Sequence, residues 1–164
     1  MIRAILLSAA VLALPSCALQ PLYGGGESGP VASTLRQVSV APIPGRDGWL
    51  VYNRLKEKLG DGGDAQYRLE VELDDEIIGL GIRGDRATTR ERRTLRARYR
   101  LVTLATGQVV LDATAGSDAG IDVVSSEYAT VAAEQTAEER LAGEVADQIV
   151  ARLALYSIRT PAPR

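Results

Sequence analysis

Between residues 66 and 104 the chain twice alternates apolar and charged side chains with a period of two. In the first run Tyr67, Leu69, Val71 and Leu73 interleave with Arg68, Glu70, Glu72 and Asp74. In the second, Leu95, Ala97, Tyr99 and Leu101 interleave with Arg96, Arg98 and Arg100. Successive side chains on a strand point to opposite faces, so each run buries one face and leaves the other in water. Glycines at 79, 81 and 84 interrupt the pattern between the runs. Two strands joined by such a turn read as a hairpin, with the acids Glu70, Glu72, Asp74, Asp75 and Glu76 facing Arg90, Arg92, Arg93, Arg96, Arg98 and Arg100. Opposite charges paired across strands contribute about 0.2–1 kcal/mol each. The acidic cluster also invites a metal or acid–base reading, but the arginines compete for the same carboxylates.

Around this hairpin the pattern supplies two helices and two more strands. Residues 35–43 carry Val38 and Val40 at period two and read as a first strand, ended by Pro42 and Pro44. Asp47 is placed to cap a helix running to Leu59, on which Val51, Leu55 and Leu59 form one stripe. Strands are expected over 66–78, 88–104 and 109–115, followed by a loop over 116–126. A long helix over 128–156 follows, with Leu141, Val145, Ile149 and Leu153 at a spacing of four. The fold class is therefore α+β: a two-layer sandwich, with two helices on one face of a four-stranded mixed sheet in the order β-α-β-β-β-α. Phe is absent, so the core falls to Leu, Val, Ile, Ala, the six Tyr and Trp49.

Absences narrow the chemistry. The 164 residues contain no His, which excludes imidazole-based catalysis and imidazole metal sites. The single Cys, Cys17, excludes an intrachain disulfide and a Cys-rich zinc site. Ser125 and Ser126 therefore have no His base. The formal net charge of −2 argues against nucleic acid as a partner. The Gly79-x-Gly81-x-x-Gly84 spacing lies between two strands, so it lacks the strand-to-helix context of a dinucleotide site. The inventory predicts no catalytic residue, no metal site and no enzyme.

The N-terminus reads as an export signal. Arg3 precedes an apolar run over residues 4–14, broken only by Ser8. That run is too short to cross a bilayer, which needs about 20 apolar residues, but it matches the core of a secretory signal peptide. Leu14-Pro15-Ser16-Cys17 resembles the bacterial lipobox, with Pro15 in place of the usual small residue. The expected organisation is a signal peptide over 1–16, a lipidated Cys17 with a flexible Gly/Ser/Pro-rich tether over 17–34, a domain over 35–158 and a disordered tail over 159–164. The only attached group expected is the covalent lipid on Cys17, diacylglyceryl and N-acyl, and two or three acyl chains anchor stably where one is marginal. Ala18 after the Cys favours the outer membrane. In the turn region, Arg83, Arg86 and Arg90 form a basic cluster suited to phosphate or carboxylate groups, because guanidinium forks bind them in pairs of hydrogen bonds.

Together these features resemble the lipopolysaccharide-assembly lipoprotein family, LptE, in its alphaproteobacterial form. The segment Cys17-Ala18-Leu19-Gln20-Pro21-Leu22-Tyr23-Gly24 is similar to that group's start, with Ala18-Leu19 replacing Gly-Phe. Val40-Ala41-Pro42-Ile43, Tyr67-Arg68-Leu69-Glu70-Val71 and Ser126-Glu127-Tyr128-Ala129 extend the resemblance. The resemblance implies an outer-membrane lipoprotein facing the periplasm or a barrel lumen. It would assemble with and plug the large LptD-type β-barrel translocon for lipopolysaccharide. Separately, the basic turn of Arg83, Arg86 and Arg90 is expected to contact lipopolysaccharide phosphates. The competing reading is a periplasmic lipoprotein accessory to another envelope complex, such as a lipid-transport ABC system. Replacing Cys17 with Ser is expected to abolish incorporation of labelled palmitate in cells; a Cys17→Ser protein that still took up label would contradict the lipidation reading.

Overall fold

The computed structural model describes residues 29–82 and 88–159. Its elements are α1 (Pro30–Leu35), β1 (Val38–Val40), α2 (Gly45–Leu59), β2 (Tyr67–Ile82), β3 (Thr88–Thr103), β4 (Val109–Asp122) and α3 (Glu127–Arg159). The strands form one sheet in the order β1-β2-β3-β4. β1 runs parallel to β2, and the other two pairs are antiparallel. The sheet is mixed and four-stranded, as the alternation implies, and α2 and α3 cover one face.

The β2–β3 register sets Glu70 opposite Arg100, Glu72 opposite Arg98 and Asp74 opposite Arg96. On the other face Leu69 meets Leu101, Val71 meets Tyr99 and Leu73 meets Ala97. Those apolar positions join Val51, Leu55 and Leu59 of α2 and Leu141, Val145, Ile149 and Leu153 of α3 in a single buried core. Tyr99 is the largest fully buried side chain. Trp49 is instead 63% exposed, and Tyr52, Tyr67 and Tyr156 pack half-buried against the margin of the core. The Arg–acid ladder lies on the face that no helix covers.

Four sequence expectations are corrected. The last part of the segment read as a flexible tether over 17–34 is helical: α1 begins at Pro30, and Val31 and Leu35, four residues apart, are both buried in the core. The first strand accordingly shrinks to Val38–Val40. Asp47 does not cap α2; the helix starts after Pro44 with no side-chain cap, and Asp47 turns to Arg93. The loop expected over 116–126 is largely strand, because β4 continues to Asp122 with Ala119 and Ile121 turned into the core. Both helices also run a little longer than their apolar stripes, α3 ending at Arg159.

Two glycines separate packing from propensity. Gly48 is buried in α2, and a Cβ added there would lie 2.6 Å from the Ile43 carbonyl oxygen. Gly143 lies within α3, with nothing within 4 Å of such a Cβ. Ala is normally about 1 kcal/mol better than Gly inside a helix. Gly143→Ala is therefore expected to raise stability by about 0.5–1 kcal/mol, whereas Gly48→Ala is expected to lower it, both measured by urea unfolding.

Candidate functional site

Three surfaces carry the molecule's polar chemistry. The first is the open face of the sheet. Arg100 contacts Glu70 at 3.4 Å and Glu72 at 3.3 Å, and Arg68 contacts Glu70 at 2.8 Å. Arg98 turns away from Glu72 and forms a two-pronged pair with Asp112 on β4, at 3.2 and 2.9 Å. That hydrogen-bonded guanidinium holds the Asp112 carboxyl below the usual range. Between the paired arginines stand Arg92 and Arg96, opposite Gly120 and Gly116 of β4. The glycines put no side chain beside them, and no ion pair engages either arginine among the described residues. A cleft of about 590 Å³ opens here, lined by Glu72, Asp74, Arg96, Arg98, Thr114 and Gly116 among others. It holds donors and acceptors of both signs side by side. Such a face suits a polar, hydrated surface and does not suit an acyl chain.

The second is the tip of the β2–β3 hairpin. Arg83 and Arg86 lie outside the described residues, as does Cys17. Arg90 is described, and its Nε donates to Asp122 Oδ1 at 2.9 Å. The pair is exposed on both sides, and such pairs are worth about 0–1 kcal/mol, so a phosphate could displace the carboxylate. The basic cluster read from sequence is thus neutralised at one of its three positions.

The third was missed in the sequence. Arg93 was grouped with the open-face arginines, but it shares its side of β3 with Leu95 and is buried to 8% exposure. Its guanidinium reaches Asp75 of β2 at 2.7 and 2.9 Å, Asp47 of α2 at 3.0 Å, and Glu138 of α3 at 3.3 Å. It also donates to the Glu134 carbonyl at 3.3 Å. Arg46 adds a second cation on Glu138 at 3.2 Å. The parity of Arg93 with Leu95, Ala97 and Tyr99 was the available signal. Three carboxylates thus face two guanidiniums. Burial, and a hydrogen bond shared with Glu138, raise the Asp47 carboxyl from 3.8 to about 6, which offsets the excess negative charge. The constellation binds elements together. It has no open cleft and no nucleophile, and no group of residues able to hold a metal ion occurs among the described residues.

No helix among the described residues is long and apolar enough to cross a membrane. The family model of LptE, lipopolysaccharide-assembly, matches residues 35–153. An uncharacterised protein of Rickettsia prowazekii, RP188, is 27% identical over 146 residues, covering 89% of this chain and 92% of its own. A proposed lipoprotein of Caulobacter crescentus has a solved structure that superimposes with a TM-score of 0.68 at 26% identity, over 80% of this chain and all of that one. The rare lipoprotein B of Shewanella oneidensis shares the fold, with a TM-score of 0.60 at 12% identity over 75% of this chain and 96% of that one.

The Arg93 network yields a pH signature. Asp47 binds its proton more tightly when folded than when unfolded, so its contribution makes stability fall as pH rises from about 4 to about 6 and level off above. Asp47→Asn is expected to remove that slope in urea unfolding followed across the same pH range. Arg93→Met leaves three carboxylates facing one another and is expected to cost about 3–5 kcal/mol at pH 7.

Proposed function

The chain belongs to the LptE lipopolysaccharide-assembly family, and from that membership we propose that it works as an outer-membrane lipoprotein seated in the lumen of a lipopolysaccharide-translocating β-barrel. The observation that carries the reading is the family match across residues 35–153, which takes in the whole sheet, α2 and most of α3. The open sheet face supports it. Barrel interiors are polar and wet, and a surface of interleaved Arg and Asp/Glu side chains keeps its hydrogen bonds there. Weak, exposed ion pairs can exchange partners with side chains of a barrel wall at little cost. In this role the protein performs no bond chemistry. It occupies the lumen, supports the barrel's assembly and shapes the path of the glycolipid.

The lipid on Cys17 holds the protein at the inner leaflet of the outer membrane. The hairpin tip, with Arg83, Arg86 and Arg90, meets the phosphates of the lipopolysaccharide. Guanidinium forks bind phosphate through paired hydrogen bonds, and the exposed Arg90–Asp122 pair is weak enough to be exchanged for them.

Two measurements test this. Tagged, acylated protein drawn from outer membranes in mild detergent is expected to bring a large β-barrel with it in near-equal amount, identified by mass spectrometry. Inner-membrane transporter subunits in its place would favour the accessory-lipoprotein alternative. Reversing Arg83, Arg86 and Arg90 to Glu together is expected to weaken binding of purified lipopolysaccharide while the circular dichroism spectrum is unchanged. Unaltered binding would remove the basic tip from the account.

A further inference from the structure

Large exposed apolar side chains gather toward the two ends of the molecule. Trp49, Ile77, Ile78, Val124, Tyr128 and Val131 lie toward the hairpin tip. Leu104, Val109, Leu155 and Ile158 lie at the opposite end, 38–53% exposed. The topology brings these four together. Leu104 follows β3 and Val109 opens β4, on either side of one turn. α3 runs back along β4: Glu138 meets Arg93 at the level of Ala119, and Gln148 meets Gly116. Its last turns therefore reach the beginning of β4. Leu155 is seven residues beyond Gln148, hence on the same side of the helix, and Ile158 follows one turn later.

The two ends differ in charge. The tip carries Arg83, Asp85, Arg86, Arg90, Glu91 and Arg92, and charged groups are costly to bring into hydrocarbon. At the opposite end, the sequence from Leu101 to Leu111 contains no charged residue. The acids there, Asp61 and Asp64, belong to the loop that passes Ser39 on the β1 side of the sheet, and Asp61 is paired with Lys56. On the β4 side, Arg152 and Arg159 flank Leu155 and are exposed. Aliphatic side chains rimmed by arginine suit the boundary between acyl chains and phosphate headgroups.

The chain itself brings a bilayer to this end. α1 packs on α3, and the Gln37 carbonyl just beyond it accepts from the Gln66 and Tyr67 N–H groups where β2 begins. Only residues 18–28 separate Gly29, at the start of α1, from Cys17. Fully extended they reach about 40 Å, whereas the 16 residues of β2 carry the tip about 50 Å away. We infer that this end of the domain seats on the phospholipid leaflet that holds the acyl chains of Cys17. Leu104, Val109, Leu155 and Ile158 enter the headgroup–acyl boundary, and Arg152 and Arg159 meet lipid phosphates. The strands stand away from the leaflet, with the open face and the tip clear of lipid. The inference rests on the lipidation of Cys17 and goes beyond it, because an acyl anchor alone fixes no orientation.

The test needs no barrel. Full-length acylated protein is reconstituted on vesicles of phosphatidylethanolamine and phosphatidylglycerol with brominated acyl chains, which quench tryptophan on contact. Trp49→Phe removes the only native Trp. In that background Leu104→Trp is expected to be strongly quenched and Tyr128→Trp, near the tip, to be unquenched; both positions are exposed. Adding Val109→Ser and Ile158→Ser to Leu104→Trp is expected to lower the ratio of seated to unseated protein about tenfold, because each gives up part of an aliphatic burial. Protein that floats with the vesicles without quenching at 104, or with equal quenching at 104 and 128, overturns the seat and leaves the acyl anchor standing. Quenching at 104 that ignores the two Ser substitutions overturns it as well. Protein that fails to float removes the anchor and the seat together.

Discussion

One guanidinium joins four elements. Arg93 rises from β3 on the core side of the sheet and is held by Asp75 of β2, Asp47 of α2 and Glu138 of α3. A buried cation without partners would be prohibitive, and so would the buried Glu138 beside the half-buried Asp47 and Asp75 without a cation. Each group is tolerable only while the other elements are docked. The network thus fixes how the start of α2 and the first third of α3 sit on the sheet.

With the helices fixed on one face, the other face has a different task. Its side chains touch no other layer of the protein, yet they are neither random nor of one sign. Glu70, Glu72 and Asp112 share Arg98 and Arg100, while Arg92 and Arg96 stand opposite glycines with no ion pair among the described residues. Such pairs add little to stability. Their value lies in a surface that stays hydrated alone and re-pairs readily against another polar wall.

The hairpin was legible because alternation of charge and aliphatic side chains has one solution. The same rule would have located Arg93, since residues 93, 95, 97 and 99 share a face; its position in a run of arginines concealed it. α1 was hidden by the glycines, serines and proline around it, although Val31 and Leu35 are one helical turn apart. The far half of β4 was hidden because Gly116, Ser117, Asp118 and Gly120 are poor strand formers. Pairing with β3 and burial of Ala119 and Ile121 override that preference. Gly116 and Gly120 set no side chain beside Arg96 and Arg92, so the residues that obscured the strand also shape the open face. Reading Trp49 as core failed for a simpler reason: α2 buries a narrow stripe, and Trp49 lies beside it.

The central claim is that the open sheet face meets the wall of a β-barrel. A photo-activatable side chain placed at position 98 in the full-length protein, in living cells, tests it most directly, with position 49 on the exposed side of α2 as the comparison. The account predicts an adduct with a large outer-membrane barrel from position 98. Absence of any adduct at 98, with strong cross-linking from 49, would contradict it and turn the molecule around in its complex.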